Sequence, residues 1–183
     1  MYISTSSVES RYILERFKYT EFTPIATDTS LGTTWTVELV AELTPTTFWA
    51  TVWGNEIWNS SLGHLAYLTS SNYLNVGTPN GMDEYSLADN ASVKSHWAFT
   101  HTDGGGIDVY RNGVLLTKAA TGYVQRSPAS NTLLFGSRHL NDGTGTTDPC
   151  PGVYYWTNIS NTALDAAGVL SSYNSLKTTY GLP

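Results

Sequence analysis

The sequence is short of charge, of cysteine and of long apolar runs. Of its 183 residues 13% are charged, and nine Lys and Arg stand against fifteen Asp and Glu, which gives a net charge of −6. Because phosphate binding needs a positive surface, this balance argues against nucleic acid as a partner. No apolar run reaches the length that spans a bilayer, so we expect no membrane partner either.

The single cysteine bears on the cellular compartment in which the protein folds. Cys150 has no second cysteine for an internal disulfide, so the composition indicates no oxidising compartment. It stands between two prolines with no base or cation beside it, and we expect an unreactive thiol. The first residues lack the basic and apolar regions of a signal peptide, so we expect synthesis in a cytoplasm without secretion.

Aromatic and hydroxyl-bearing residues are abundant instead. The chain has six tryptophans and twelve tyrosines, and Ser and Thr recur throughout. Such residues favour strands, so the composition predicts an all-β protein. The clearest strand, residues 35–43, alternates an apolar face that starts at Trp35 with a polar face that carries Glu38 and Glu42. We expect both glutamates to be solvated.

Asn112-Gly113 lies between two alternating segments and predicts a β-hairpin. This pair suits a type I′ turn, in which both central residues need a positive φ. The turn sets Arg111 opposite Val114. The residues that the alternation then directs to the core are Ile107, Val109, Val114 and Leu116.

The last segment predicts the one convincing helix. From Ala166 to Tyr180, apolar residues recur at spacings of three and four, with a start near Leu164 or Asp165 and a C-terminal cap at Gly181. We predict a single domain, in which residues 1–30 form an N-terminal arm and first strand and residues 31–183 form the sandwich.

Four short motifs follow one another in the C-terminal half of the chain. They are residues 96–100 (HWAFT), 110–113 (YRNG), 135–137 (FGS) and the closing segment 159–170. In this order they resemble the laminin-G-like branch of the concanavalin A-like lectin/glucanase superfamily, although Gly168 stands where an acidic residue is common. The resemblance implies an antiparallel two-sheet jelly-roll sandwich with a short C-terminal helix. Such sandwiches host lectins, hydrolases, adhesion modules and virion proteins, so function needs a separate argument.

Hydrolysis of glycosides is the remote alternative. The superfamily's β-glucan-cleaving members carry Glu-x-Asp-x-x-Glu on one strand, and this sequence lacks that motif. Retaining hydrolysis needs two carboxyls about 5–5.5 Å apart. Glu38 and Glu42 share a strand face but lie roughly 13 Å apart along it. No Gly-x-Ser-x-Gly elbow occurs either, so we expect no enzymatic activity.

Two loops predict sugar contacts, because sugar sites combine an aromatic platform with a few polar groups. The candidates are Trp53, Asn55 and Trp58 in the first loop and Arg138, His139, Asn141 and Asp142 in the second. The alternative for each tryptophan is packing in the core.

No cofactor is predicted except a candidate calcium ion. Calcium takes six to eight oxygen ligands at about 2.3–2.6 Å. Asp142 and Asp148, with the carbonyls between them, are the candidate ligands, and Asp103 with Asp108 is a second pair. Solvated loop acids are the alternative for both pairs.

The absence of a catalytic motif and the polar N-terminal arm favour a structural role. Free-standing domains of this branch without a signal peptide resemble tailed-phage virion proteins. We therefore predict a non-enzymatic phage virion protein, either capsid decoration or a fibre or adhesin head. Its partner would be a capsid or tail protein of the same virion, and by analogy it would be a homo-oligomer, such as a trimer. The alternative is a lectin-like module that recognises host surface glycans.

Overall fold

Strands make up most of the computed structural model, which describes residues 17–19, 25–27, 31–45, 49–55, 63–69, 73–78, 81–87, 91–124, 133–139 and 146–183. The first strands are β1 (Phe17–Tyr19), β2 (Ile25–Thr27), β3 (Trp35–Leu43), β4 (Ala50–Gly54), β5 (Leu65–Leu68), β6 (Tyr73–Thr78), β7 (Gly81–Ser86) and β8 (Ser95–His101). They are followed by β9 (Ile107–Arg111), β10 (Val114–Leu115), β11 (Lys118–Ala120), β12 (Leu133–Phe135), β13 (Arg138–His139), β14 (Thr146–Thr147), β15 (Gly152–Ser160) and helix α1 (Ala166–Tyr180).

Two antiparallel sheets form the sandwich. The first has the strand order β1-β15-β3-β8-β9-β10, the second has the order β11-β7-β6-β5-β4-β12-β2, and β13 pairs with β14. The predicted all-β two-sheet sandwich with a C-terminal helix is confirmed. Within residues 1–30, β1 pairs with β15 and β2 with β12 of the same chain. The rest of the predicted arm lies outside the described residues.

The alternation of β3 builds the core as predicted. The inner face of this strand consists of Trp35, Val37, Leu39, Ala41 and Leu43, all buried in the main apolar cluster. Trp97 and Phe99 of the neighbouring β8 belong to the same cluster. Burial of each large apolar side chain contributes about 1.5–3 kcal/mol, so this central strand is a main source of stability.

The predicted hairpin is also confirmed. Asn112 and Gly113 have φ values of 52° and 79°, and Arg111 pairs with Val114. The Asn112 side chain adds a contact that the turn rule does not foresee, because its Oδ1 accepts the backbone N–H of His96 at 2.9 Å.

One residue of the hairpin departs from the prediction. Val114 was expected in the core, but 66% of it is exposed. The reason is that β10 is a two-residue edge strand, and Val114 lines an open groove with Leu87 and Val93 at the end of the sheet.

Helix α1 begins and ends where the sequence predicts. Asp165 is the N-cap, and its carboxylate accepts the backbone N–H of Gly168 at 2.8 Å. Gly181 ends the helix in the left-handed conformation. The buried helix residues Val169 and Tyr173 pack on the outer face of the first sheet, in two small apolar clusters separate from the main core.

The hairpin yields a stability prediction. Gly113→Val should lower the free energy of unfolding by about 1–3 kcal/mol, since a branched residue is strained at a positive φ. A Cβ atom at this position would also lie 2.9 Å from Leu170 Cδ1. Urea denaturation measures the change. Gly32→Val is the matched control, because a Cβ there meets no atom within 4 Å. Equal stability of the two variants would contradict the role assigned to the turn.

Candidate functional site

Trp53, predicted as a sugar contact, lies in the core with 0% exposure. Its ring centroid is 5.5 Å from that of Trp35 and 5.3 Å from that of Phe99. The prediction for this residue is wrong for a local reason. The register of β4 against β5 shifts between Thr51 and Trp53, and this irregularity leaves Val52 and Trp53 both on the core side.

Asn55, the second residue of that loop, is also buried. Its side-chain Oδ1 accepts the backbone N–H of His64 at 2.9 Å, and its own backbone N–H donates to the His64 carbonyl at 3.0 Å. Asn55 therefore closes the connection between β4 and β5, and its prediction as an exposed sugar contact is wrong as well. Trp58 lies outside the described residues.

The second predicted loop is described in part. Arg138 and His139 form strand β13, and the structure describes only their backbone. Asn141 and Asp142 lie outside the described residues. Asp148 has a positive φ of 53°, and its backbone carbonyl accepts the N–H of Thr51 at 2.9 Å. The sugar and calcium predictions for this loop stay predictions.

The second calcium pair has different partners. Asp108 Oδ1 lies 3.8 Å from Lys118 Nζ, and the backbone N–H of Asp103 donates to the Thr34 hydroxyl at 3.4 Å. Within the part of the chain that the structure describes, no group of three or more His, Cys, Asp or Glu residues could hold a metal ion.

Polar side chains cross the outer face of the second sheet in one line. Thr51 pairs with Tyr67, Tyr67 with Asn75, and Asn75 with Glu84, on the neighbouring strands β4, β5, β6 and β7. These four residues form what we call the polar row. Their chain neighbours Ala50, Leu68, Leu74 and Tyr85 belong to the main core, so the row faces away from the first sheet. At a strand spacing of about 4.8 Å the row spans roughly 14 Å.

An accessible tryptophan lies beside the polar row. Trp49 directly precedes β4 and is 39% exposed, and its ring centroid is 4.7 Å from that of Tyr67. Tyr67 is fixed in turn, because its hydroxyl donates to Met82 Sδ at 3.1 Å. Thr51, Tyr67 and Asn75 are buried, with 1%, 5% and 7% exposure, so within the row Glu84 is the residue that is partly accessible. An aromatic surface beside a carboxylate can bind the apolar face of a sugar ring and its hydroxyls together. The sequence analysis missed this site because the row is assembled from four separate strands.

A second polar cluster lies between the first sheet and the helix. Glu38, expected to be solvated, is 1% exposed. Its carboxylate accepts hydrogen bonds from His96 Nε2 at 3.2 Å and from Asn158 Nδ2 at 3.0 Å, and Ser172 of α1 lies near enough to lower its pKa. Burial by itself raises the pKa of Glu38, but these hydrogen bonds outweigh burial and hold the pKa below its usual range. The prediction of a solvated acid is corrected, because α1 packs over this part of β3.

Two histidines lie inside the sandwich rather than at its surface. The rings of His64 and His101 pack against Trp35, at centroid distances of 5.2 and 5.3 Å. His101 Nδ1 donates to the Gly106 carbonyl at 3.1 Å, and burial lowers the pKa of His101. Cys150 is buried too, and burial raises the pKa of its thiol to about 12, in agreement with the expected unreactive cysteine.

The sequence matches no protein-family profile and no curated protein. Solved structures do match the fold. The CBM40 module of the Ruminococcus gnavus IT-sialidase, bound to α2,3-sialyllactose, superposes with a TM-score of 0.66 and 11% identity over 88% of this chain and 97% of that chain. A leech intramolecular trans-sialidase matches with a TM-score of 0.62 and 14% identity over 88% of this chain and 27% of that chain.

A pentraxin extends this group of similar folds. The SAP-like pentraxin of Limulus polyphemus has a TM-score of 0.58 and 14% identity over 92% of this chain and 84% of its own. Identities this low show the fold alone. They confirm the concanavalin A-like jelly roll that the C-terminal motifs predict. Among the described residues, no helix is long and apolar enough to cross a membrane.

The buried histidine gives a pH prediction. Because the pKa of His101 is lowered on folding, the unfolded chain binds its proton more readily. Stability from this group is therefore complete above the unfolded pKa and is lost as pH falls through about 6.5 toward the folded value, by at most about 1.4 kcal/mol per pH unit. Urea denaturation between about pH 7.5 and 5.5 measures this slope. His101→Gln should make the slope shallower, and parallel curves for the two proteins would contradict this assignment.

Proposed function

We propose that this protein is a non-catalytic carbohydrate-binding module and that the polar row with Trp49 is its binding face. The observation that carries the proposal is the contact between an accessible tryptophan and Tyr67 of the row. Large aromatic side chains at a protein surface are typical of sites that bind ligands with apolar faces and polar edges. Glu84, which is partly exposed, supplies a hydrogen-bonding carboxylate on β7, next to Asn75 of β6.

The face is held in place before a ligand arrives. Tyr67 is fixed by Trp49 on one side and by Met82 on the other, and Asn75 is set between two paired strands. A rigid site loses little conformational freedom on binding, and this favours affinity. Glycan binding is also supported by the fold, since a CBM40 module bound to sialyllactose matches nearly its full length to this chain.

The charge of the face favours neutral glycans. Glu84 is the one charged member of the polar row, and the whole protein carries a net charge of −6. A sialic acid carboxylate would be repelled here unless a cation lay beside it. We therefore propose a neutral, hydroxyl-rich glycan, a different class from the sialyllactose of the similar module.

The proposed role includes no chemistry on the glycan. Glycoside hydrolysis needs a pair of carboxyls across the scissile bond, and the polar row contains a single carboxylate, Glu84. Release of reducing ends from β-glucans or other glycans by the purified protein would overturn this part of the proposal. The virion role stays a prediction from the sequence resemblance, and saturable binding to purified capsids would support it.

A glycan array with variants tests the binding face. We expect neutral glycans to bind and Trp49→Ala to weaken the best of them at least about tenfold, equivalent to 1.4 kcal/mol. Glu84→Ala, which removes the partly exposed carboxylate of the row, should have a similar effect. Val124→Ala is the matched control, because Val124 is an exposed apolar residue that is neither a member of the polar row nor paired with one.

Two results would contradict the proposal. One is an array on which no neutral glycan binds the folded protein. The other is a glycan whose affinity is the same for the unmodified protein, for Trp49→Ala and for Val124→Ala. Circular dichroism of each variant shows that the fold is intact.

A further inference from the structure

A cavity of about 300 Å³ lies between helix α1 and the outer face of the first sheet. Glu38 and Asn158 line its floor, Trp156 forms an apolar wall, and Ser171, Ser172 and Ser175 line the helix side. The cavity is on the opposite sheet from the polar row, so it would be a second and separate site. Its volume is in the range of pockets that hold small organic ligands.

The floor of the cavity contains an acceptor that is not satisfied. The amide nitrogen of Asn158 donates to Glu38, which leaves its carbonyl Oδ1 as the free end of the side chain. This oxygen is buried and accepts no hydrogen bond from the described residues. A buried acceptor without a donor costs about 1–3 kcal/mol, so the floor of the cavity is kept at a cost to stability.

The chemistry of the lining selects the ligand class. The buried carboxylate of Glu38 and the net charge of −6 disfavour anions. Serine hydroxyls both donate and accept hydrogen bonds, which matches ligand hydroxyls that do the same. The Trp156 wall offers an apolar surface beside these groups. A neutral ring that carries several hydroxyls fits all three features.

We propose that this cavity binds one neutral sugar ring, with the helix serines bonding its hydroxyls and the Trp156 wall contacting its apolar face. The hydrogen bonds from His96 and Asn158 hold the Glu38 carboxylate in place while the ligand binds. The inference does not depend on the polar row. It would make the protein bivalent, with sugar sites on two opposite sheets.

NMR titration of the full chain tests the proposal. Glucose, galactose and N-acetylglucosamine are added separately, into the tens of millimolar range, to ¹⁵N-labelled protein. At least one of them should give saturable shifts at the backbone amides of Gly168, Ser171 and Ser172 and at the side-chain amide of Asn158. Methylammonium and N-acetylneuraminic acid, added in the same way, should give none at these positions.

Ser171→Leu narrows the cavity from its exposed helix side without removing a described core contact, and leucine is a good helix former. It should raise the dissociation constant at least tenfold. Asn174→Leu is the control, because this exposed residue of the same helix does not line the cavity. Trp49→Ala should leave these chemical-shift changes unaltered. Loss of binding in the cavity can therefore be distinguished from loss of binding at the polar row.

Three outcomes would overturn the inference. They are no saturable shift with any neutral sugar, shifts that Ser171→Leu and Asn174→Leu leave equally strong, and shifts produced by methylammonium in place of the sugars. The last outcome would indicate an ammonium site on Glu38.

Discussion

The fold depends on one buried carboxylate. Glu38 lies in the middle of β3. Its hydrogen-bond donors His96 and Asn158 come from β8 and β15, and Ser172 of helix α1 lies beside it. A buried charge that loses its partners costs several kcal/mol, so these four elements are held in one arrangement. The inner face of the same strand fills the main core. Strand β3 thus contributes both to the main apolar core and to the surface on which helix α1 packs.

This arrangement gives the two outer faces different roles. The helix covers the first sheet around Glu38, where the contact is polar and encloses a cavity. The second sheet presents the polar row and Trp49 on its outer face. The hydrogen bonds of the helix side fix the scaffold, whereas Trp49 and the partly exposed Glu84 are the side chains that we propose for sugar binding. The proposed function follows from this division, and the similar fold of a CBM40 module supports it.

Local signals in the sequence predicted the features that depend on neighbouring residues. The alternation of β3, the Asn112-Gly113 turn and the two caps of α1 are each specified within a few positions. Glu38 was placed on the correct face of its strand, but alternation does not report what covers that face. Trp53 was misplaced because it was assigned to a loop, whereas β4 continues to Gly54 and an irregularity in the strand directs Trp53 into the core. The polar row joins residues up to 33 positions apart in sequence (Thr51 to Glu84), and its register is set by strand pairing alone.

The most direct test of the central claim is a crystal structure of the protein with a neutral glycan that it binds. The account predicts density for a sugar ring against Trp49, with a hydroxyl of the glycan within hydrogen-bond distance of Glu84. Density for the glycan at another surface of the sandwich, with the face around Trp49 unoccupied, would contradict it.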